Sequence, residues 1–312
     1  MRTLDPAAGG TPSVAGVRID VIDTATAVRD IAAAPLAERP GLLRALMEPV
    51  RGMFRYFPGE VDLVAMHHAG SGFRVDRADA RLTEALDLLV AADAWTRVER
   101  ALHDGLALQL TATPGVAVPD ALQVVLLPGD PADTHFTDVN LGMTANGSVP
   151  GYLWICLWPS PENLERIEAT AVHELHHNLR YRTVPWDPMT TPVGEQIVGE
   201  GLADAFARQL YGDLGYTRIG LAAQGDDAVF ARVVANLGVT GMQHFAAWVH
   251  GDATAARFGA TPVGLPTGAG YAVGNRLVDA YLAATGRTAA DLLLVDRDEL
   301  VRVALDHERV PR

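Results

Sequence analysis

The segment His173-Glu174-Leu175-His176-His177 constrains this chain more than any other feature. Two histidines four residues apart act together only on a helix, where residues one turn apart share a face. There they can chelate a single zinc ion through their imidazole nitrogens. Glu174 stands about 100° round the helix from His173, so it can lean over the metal without ligating it and accept a proton from water held there. A zinc that works on a substrate takes three protein ligands and leaves one position open, so a second element must supply the third.

The best source is Glu200-Gly-Leu-Ala-Asp204. Its neighbours Ile197, Val198, Leu202, Ala203 and Phe206 describe a largely buried helix. Carboxylates are costly in such a place unless compensated, and zinc would compensate them. Glu200 is therefore the expected third ligand. Asp204, one turn further on, is placed to accept the Nδ1–H of a ligand histidine and fix its tautomer. Glu195 ranks well behind, being nearer the helix start with no carboxylate four residues on. A third histidine following the motif is excluded, because Arg180 and Thr183 stand at the positions that would carry its glycine and histidine.

The remaining composition narrows the setting. A formal charge of -13 and the absence of any Lys/Arg cluster exclude a phosphate-neutralising face, so no nucleic-acid partner is expected. The acidity gives a weak hint of neutral or cationic substrates. The single cysteine, Cys156, rules out a disulfide within the chain and a Cys-rich zinc site, and its apolar surroundings make it a buried small hydrophobe. No stretch is apolar for the ~18 residues a membrane span needs. The first residues lack the apolar core of a secretory signal, so the cytoplasm is the expected location.

The fold class expected is α+β and mostly helical, with a small sheet packed on the His-Glu helix and a helical C-terminal lobe. Residues 1–16 read as a flexible tail, 17–114 as a helical region and 115–312 as the catalytic domain. Helical patterns cover 23–53, split by Pro35 and Pro40, and 77–109, punctuated near 91–93. Leu122–Leu127 and Tyr152–Trp158 read as strands, with a Gly/Asn/Asp/Thr-rich connection between them long enough to hold a further short strand. Helices are expected at 161–181, 192–211, 226–237, 240–249, 271–285 and 288–306.

The spacing His173-Glu-Leu-His-His177, then Glu200-Gly-Leu-Ala-Asp204, resembles the gluzincin, or thermolysin-like, arrangement. With Gly270-Tyr-Ala-Val-Gly274 added, residues 115–290 resemble a bacterial family of predicted zinc-dependent proteases. That resemblance implies an edge strand beside the active helix that binds substrate backbone by strand addition, and Tyr152–Trp158 is the matching segment. A plain core strand is the competing reading of the same residues.

Tyr271 follows a glycine-rich turn and is the candidate donor to the substrate's carbonyl oxygen, with His244 and His250 as alternatives. His176 points away from the zinc pair and could line the cleft. Arg276 could capture a substrate carboxylate, although a helix-surface position suits it better. His67 and His68 read as surface or core residues. The expected function is a zinc-dependent hydrolase, a peptidase acting on peptide or protein substrates with Glu174 as general base. A zinc-site binding or regulatory protein without turnover and a zinc hydrolase for another bond are the alternatives.

Overall fold

Leu122–Leu127 and Tyr152–Trp158 are continuous apolar runs rather than alternating ones, which is the pattern of strands buried on both faces. The computed structural model, which describes residues 13–14, 16–57 and 59–309, accounts for this. Strands β1 (Ser13–Val14), β2 (Val17–Val21), β3 (Ala121–Pro128), β4 (Met143–Asn146) and β5 (Tyr152–Leu157) form one sheet in the order β1-β2-β3-β5-β4. The inner strands β2, β3 and β5 are parallel, while β1 and β4 lie antiparallel at the two edges.

Successive side chains leave a strand on opposite faces, and here the two sets enter two cores. Val125, Leu127, Trp154 and Cys156 point into a core built by α1 (Thr24–Ala33), α2 (Arg39–Met47), α3 (Leu63–Ala69) and α4 (Arg81–Ala91). Val124, Leu126, Leu153, Ile155 and Leu157 point the other way. They meet α5 (Ala94–Ala112) and, after the one-turn α6 (Pro161–Leu164), the helices α7 (Ile167–Thr183) and α8 (Val193–Tyr211). Each fully buried Val or Leu in these layers stabilises the fold by about 1.5–3 kcal/mol, so the N-terminal helices are what allow the sheet's far face to be apolar. Cys156 is fully buried there, and burial pushes its thiol above the ordinary range.

The remaining helices, α9 (Asp227–Val234), α10 (Asp252–Arg257), α11 (Ala269–Thr285) and α12 (Arg297–Glu308), continue the larger core toward the C-terminus. The molecule is thus α+β and mostly helical. Among the described residues no helix is long and apolar enough to cross a membrane.

Several sequence expectations change. Residues 1–12 and 15 of the expected tail lie outside the described residues, but Ser13–Val14 pairs with Val17–Arg18 as a strand. The region expected to be helical from 17 opens with β2, whose Val17 and Ile19 face inward while Arg18 faces solvent. The helix expected over 161–181 is broken at Glu165–Arg166. That expected over 240–249 is a 3-10 turn, Met242–His244, followed by a π-helical turn, Ala246–His250. Residues 288–306 divide into a 3-10 turn and α12, which Asp296 caps from the gap between them.

The strand Tyr152–Trp158 is not an edge. It lies between β3 and β4, and the edge belongs to Met143–Asn146, in the connecting segment. Four residues without an apolar pattern give little strand signal of their own.

Candidate metal centre

Helix α7 has an almost uniformly buried surface from Ile167 to Tyr181, because β5, α5 and α8 surround it. It stops at Val184, before Pro185, which disfavours helix at the preceding residue. Helix α8 is equally enclosed and ends at Gly212, whose φ of 58° suits glycine. Arg180, fully buried, locks the two helices together. It donates to Glu195 Oε1 at 2.8 Å and to the carbonyls of Leu293 and Val295 at 2.7 and 3.2 Å. Glu195, the lower-ranked ligand candidate, is therefore the partner of this arginine.

The crossing of α8 and α11 explains two glycines of the Gly270-Tyr-Ala-Val-Gly274 segment. A Cβ on Gly274 would stand 2.1 Å from the Ile197 carbonyl oxygen, and one on Gly270 would stand 2.6 Å from Val249 Cα. Only glycine allows α11 this close to α8 and to the π-helical turn. The consequence is that α11 delivers Tyr271 and Asn275 into the neighbourhood of Glu200 and Asp204.

Here three donor atoms converge. His173 Nε2 and His177 Nε2 lie 3.0 Å apart, and Glu200 Oε2 lies 3.1 Å from the first and 3.2 Å from the second. All three residues are buried, and together they could hold a metal ion. Bonds of 2.0–2.1 Å in a tetrahedral centre separate ligand atoms by about 3.3 Å, so the observed spacing fits zinc closely. Two imidazole nitrogens and a carboxylate oxygen facing one another are also electron-rich atoms that a cation would reconcile.

Asp204, fully buried, fixes the tautomer that leaves His173 Nε2 free. Its Oδ1 accepts from His173 Nδ1 at 2.9 Å and from Thr217 Oγ1 at 2.8 Å. Its Oδ2 accepts from Thr217 N at 3.0 Å and from Asn275 Nδ2 at 2.7 Å. Four donors hold this carboxylate in one rotamer. His177 Nδ1, by contrast, has no acceptor among the described residues. Burial opposes charge on His173, but the hydrogen bonds to Asp204 and Glu200 outweigh it and raise the imidazole well above its ordinary pKa. On Glu200, burial is likewise outweighed by His177 and His173, which hold the carboxyl far below the usual range.

Glu174 lines a cleft of about 530 Å³ together with His173. Burial raises its pKa, with His173 and His177 pulling the other way. Gly147 lies against it so closely that a Cβ there would stand 2.1 Å from the Glu174 carbonyl oxygen. The loop carrying Gly147 is pinned by Asn178, whose Nδ2 faces the carbonyls of Gly147, Val149 and Tyr152 at 3.0, 3.1 and 2.7 Å.

Tyr271 and His250 line the same cleft, their ring centroids 5.7 Å apart. Burial, then Glu200 and Glu174, raise the Tyr271 phenol well above its usual pKa, so it stays a donor. Burial lowers the pKa of His250. His244 is not among the lining residues. His176 does not reach the cleft either, for it is fully buried 5.7 Å from the Phe206 ring. Arg276 faces outward, paired with Asp227 and Glu308. His67 is a core residue that bonds the Phe73 carbonyl through Nε2 at 2.8 Å.

Sequence reasoning missed Thr217, Asn275, Asn178, Gly147 and the cleft residue His135. Asn275 directly follows the glycine segment and could have been found there. Thr217 and His135 carry no local signal, being presented by a loop and a π-helical turn.

The family described as "Predicted Zn-dependent protease (DUF2268)" matches residues 95–302, a span that includes all three donors, Glu174, Asp204 and Tyr271. The chain is 30% identical over 175 residues to "Uncharacterized protein YjfC" of Bacillus subtilis (strain 168), covering 54% of this chain and 58% of that relative. It thus spans less than two thirds of the relative's length. No solved structure gives a significant match.

Proposed function

We propose that this chain, which belongs to the DUF2268 family of predicted Zn-dependent proteases, hydrolyses peptide bonds with zinc held by His173, His177 and Glu200. The observation that carries the reading is the convergence of those three donors, with His173 and Glu174 lining the adjoining cleft. When bound, zinc supplies a Lewis acid that polarises a carbonyl and makes water more acidic. Glu174 takes the proton of the attacking water on its carboxylate and passes it to the leaving amine nitrogen. Tyr271 donates its phenolic hydrogen to the carbonyl oxygen as charge develops there, and His250 stands beside it as the second donor.

The outer edge of β4 has no strand partner among the described residues, and it runs along the cleft. An extended substrate can add to that edge through its backbone. Met242 and Phe245, across the cleft, offer apolar contacts to its side chains.

The test is a peptide-library digest with the zinc-loaded chain and its Glu174→Gln variant, followed by mass spectrometry. Cleavage by the wild type, with zinc kept and turnover nearly abolished in Glu174→Gln, is the expected result. A zinc-loaded wild type that cleaves no peptide would overturn the reading in favour of a binding protein or a hydrolase of another bond.

A further inference from the structure

The cleft does not share the sign of the chain. Against a formal charge of -13, its lining holds Arg166, Arg218 and Arg257, with Glu174 the one carboxylate among the described lining residues. Arg257 is paired with Asp133 at 2.9 Å. Arg166 and Arg218 have no carboxylate within 4.0 Å among the described residues. Glu165 interacts with Arg166 and Glu162 with Arg218 through charge alone, and both glutamates are exposed and outside the lining.

Both arginines are nevertheless held in place. Arg166 Nη1 donates to the carbonyls of Asp213 and Leu214 at 3.4 and 3.0 Å. Arg218 Nη1 donates to Asn163 Oδ1 at 2.8 Å. Asn163 is itself buried, and its Nδ2 donates to the carbonyls of Leu141, Gly142 and Trp158 at 3.1, 3.0 and 2.9 Å. Each guanidinium has five N–H donors, and the other nitrogens of both have no partner among the described residues. Burial and the neighbouring Arg218 both lower the pKa of Arg166, the mark of half-buried like charges brought close. An anion would relieve that arrangement.

The position of the pair follows from the helix. Arg166, Thr170 and His173 follow one face at i, i+4 and i+7, and all line the cleft. At 1.5 Å per residue, Arg166 lies about 10 Å from His173 along the axis, which is about three residues of extended peptide. Strand β4 covers the same distance, with Gly142 beside Asn163 at one end and Gly147 against Glu174 at the other.

We propose that Arg166 and Arg218 form a carboxylate-binding subsite about three residues from the scissile bond, taking an acidic side chain or the terminal carboxylate of a peptide. The proposal rests on the peptidase reading and reverses the weak preference for neutral or cationic substrates that the net charge suggests. Guanidinium groups recognise carboxylates through paired charge-assisted hydrogen bonds, so the discrimination should be sizeable.

The experiment measures binding to the zinc-loaded Glu174→Gln variant by titration calorimetry, independently of turnover. Three randomised octapeptide pools of neutral residues serve as probes: one amidated, one amidated with a fixed glutamate, one with a free C-terminal carboxylate. We expect the glutamate pool or the free-carboxylate pool to bind about 10–100-fold more tightly than the neutral amide pool. Whichever gains identifies the source of the carboxylate. The preference should collapse when Arg218→Gln or Arg166→Gln is added and return in part with Arg218→Lys. If Arg166→Gln lowers the melting temperature through its lost carbonyl contacts, the Arg218 variants give the same readout. Equal binding of all three pools, or a preference that survives both arginine variants, would overturn the subsite. Arginine-dependent binding with no cleavage by the wild type would sink the peptidase reading and leave the subsite standing; cleavage without any carboxylate preference would do the reverse.

Discussion

Gly274→Ala is the most demanding test of how the fold positions the metal centre. The added Cβ would lie 2.1 Å from the Ile197 carbonyl oxygen, 2.9 Å from Gly201 N and 3.2 Å from Gly201 Cα. Carbon–oxygen contacts rarely close below about 3.3 Å, so α8 and α11 must separate by about 1 Å. No rotamer change relieves the clash, since every atom met is backbone. Overpacking of this kind costs about 1–3 kcal/mol, and backbone contact places it at the upper end. That corresponds to a fall in melting temperature of roughly 3–5 °C for a chain of this size. Glu200 precedes Gly201 on α8, and a ligand sphere tolerates errors of only about 0.2 Å, so zinc affinity should fall at least tenfold. Differential scanning calorimetry and chelator competition read the two effects. Gly41→Ala, where a Cβ meets nothing within 4 Å, is the control and should be neutral or slightly stabilising. A Gly274→Ala protein with wild-type melting temperature and zinc affinity would refute the close-crossing argument.

Asp204→Ala should weaken zinc affinity by about 10–100-fold while the fold survives; unchanged affinity in a chelator titration would reduce Asp204 to a packing residue. Tyr271→Phe should keep zinc and lower turnover by about 10²–10³-fold. Wild-type turnover there would pass the oxyanion role to His250, which lines the cleft, rather than to His244, which does not. Burial pushes His67 down to about 3 from its ordinary 6.5, so the unfolded chain takes up this proton first. Its contribution is complete above pH 6.5 and declines as the pH falls toward 3, the loss amounting to about 2 kcal/mol by pH 5. Urea denaturation at pH 7 and pH 5 should show a smaller loss in His67→Gln than in wild type; parallel losses would contradict this.

The positions of the donors were legible because helical period alone sets His173 against His177, and the apolar neighbours of Glu200 mark a helix in which a lone carboxylate is costly. The same local logic placed β3, β5 and most helices. It failed where the chain's partners decide. Met143–Asn146 becomes a strand only because β5 offers it an edge, whereas the alternating Val17–Val21 carried a strand signal of its own that the helical reading passed over. His135 enters the cleft from a π-helical turn, which has no periodic signature. Thr217 reaches Asp204 from a loop thirteen residues further on, so its role depends wholly on tertiary packing. The arginine pair was invisible for a similar reason: net charge averages over a surface that the cleft does not resemble.

The most direct test of the account is metal analysis of the purified chain by plasma emission spectrometry, alongside His177→Ala and Glu200→Ala. One zinc per chain is expected in the wild type, and substoichiometric zinc in both variants with far-ultraviolet circular dichroism unchanged. A folded wild type that takes up no zinc when zinc is supplied, or variants that retain it in full, would contradict it.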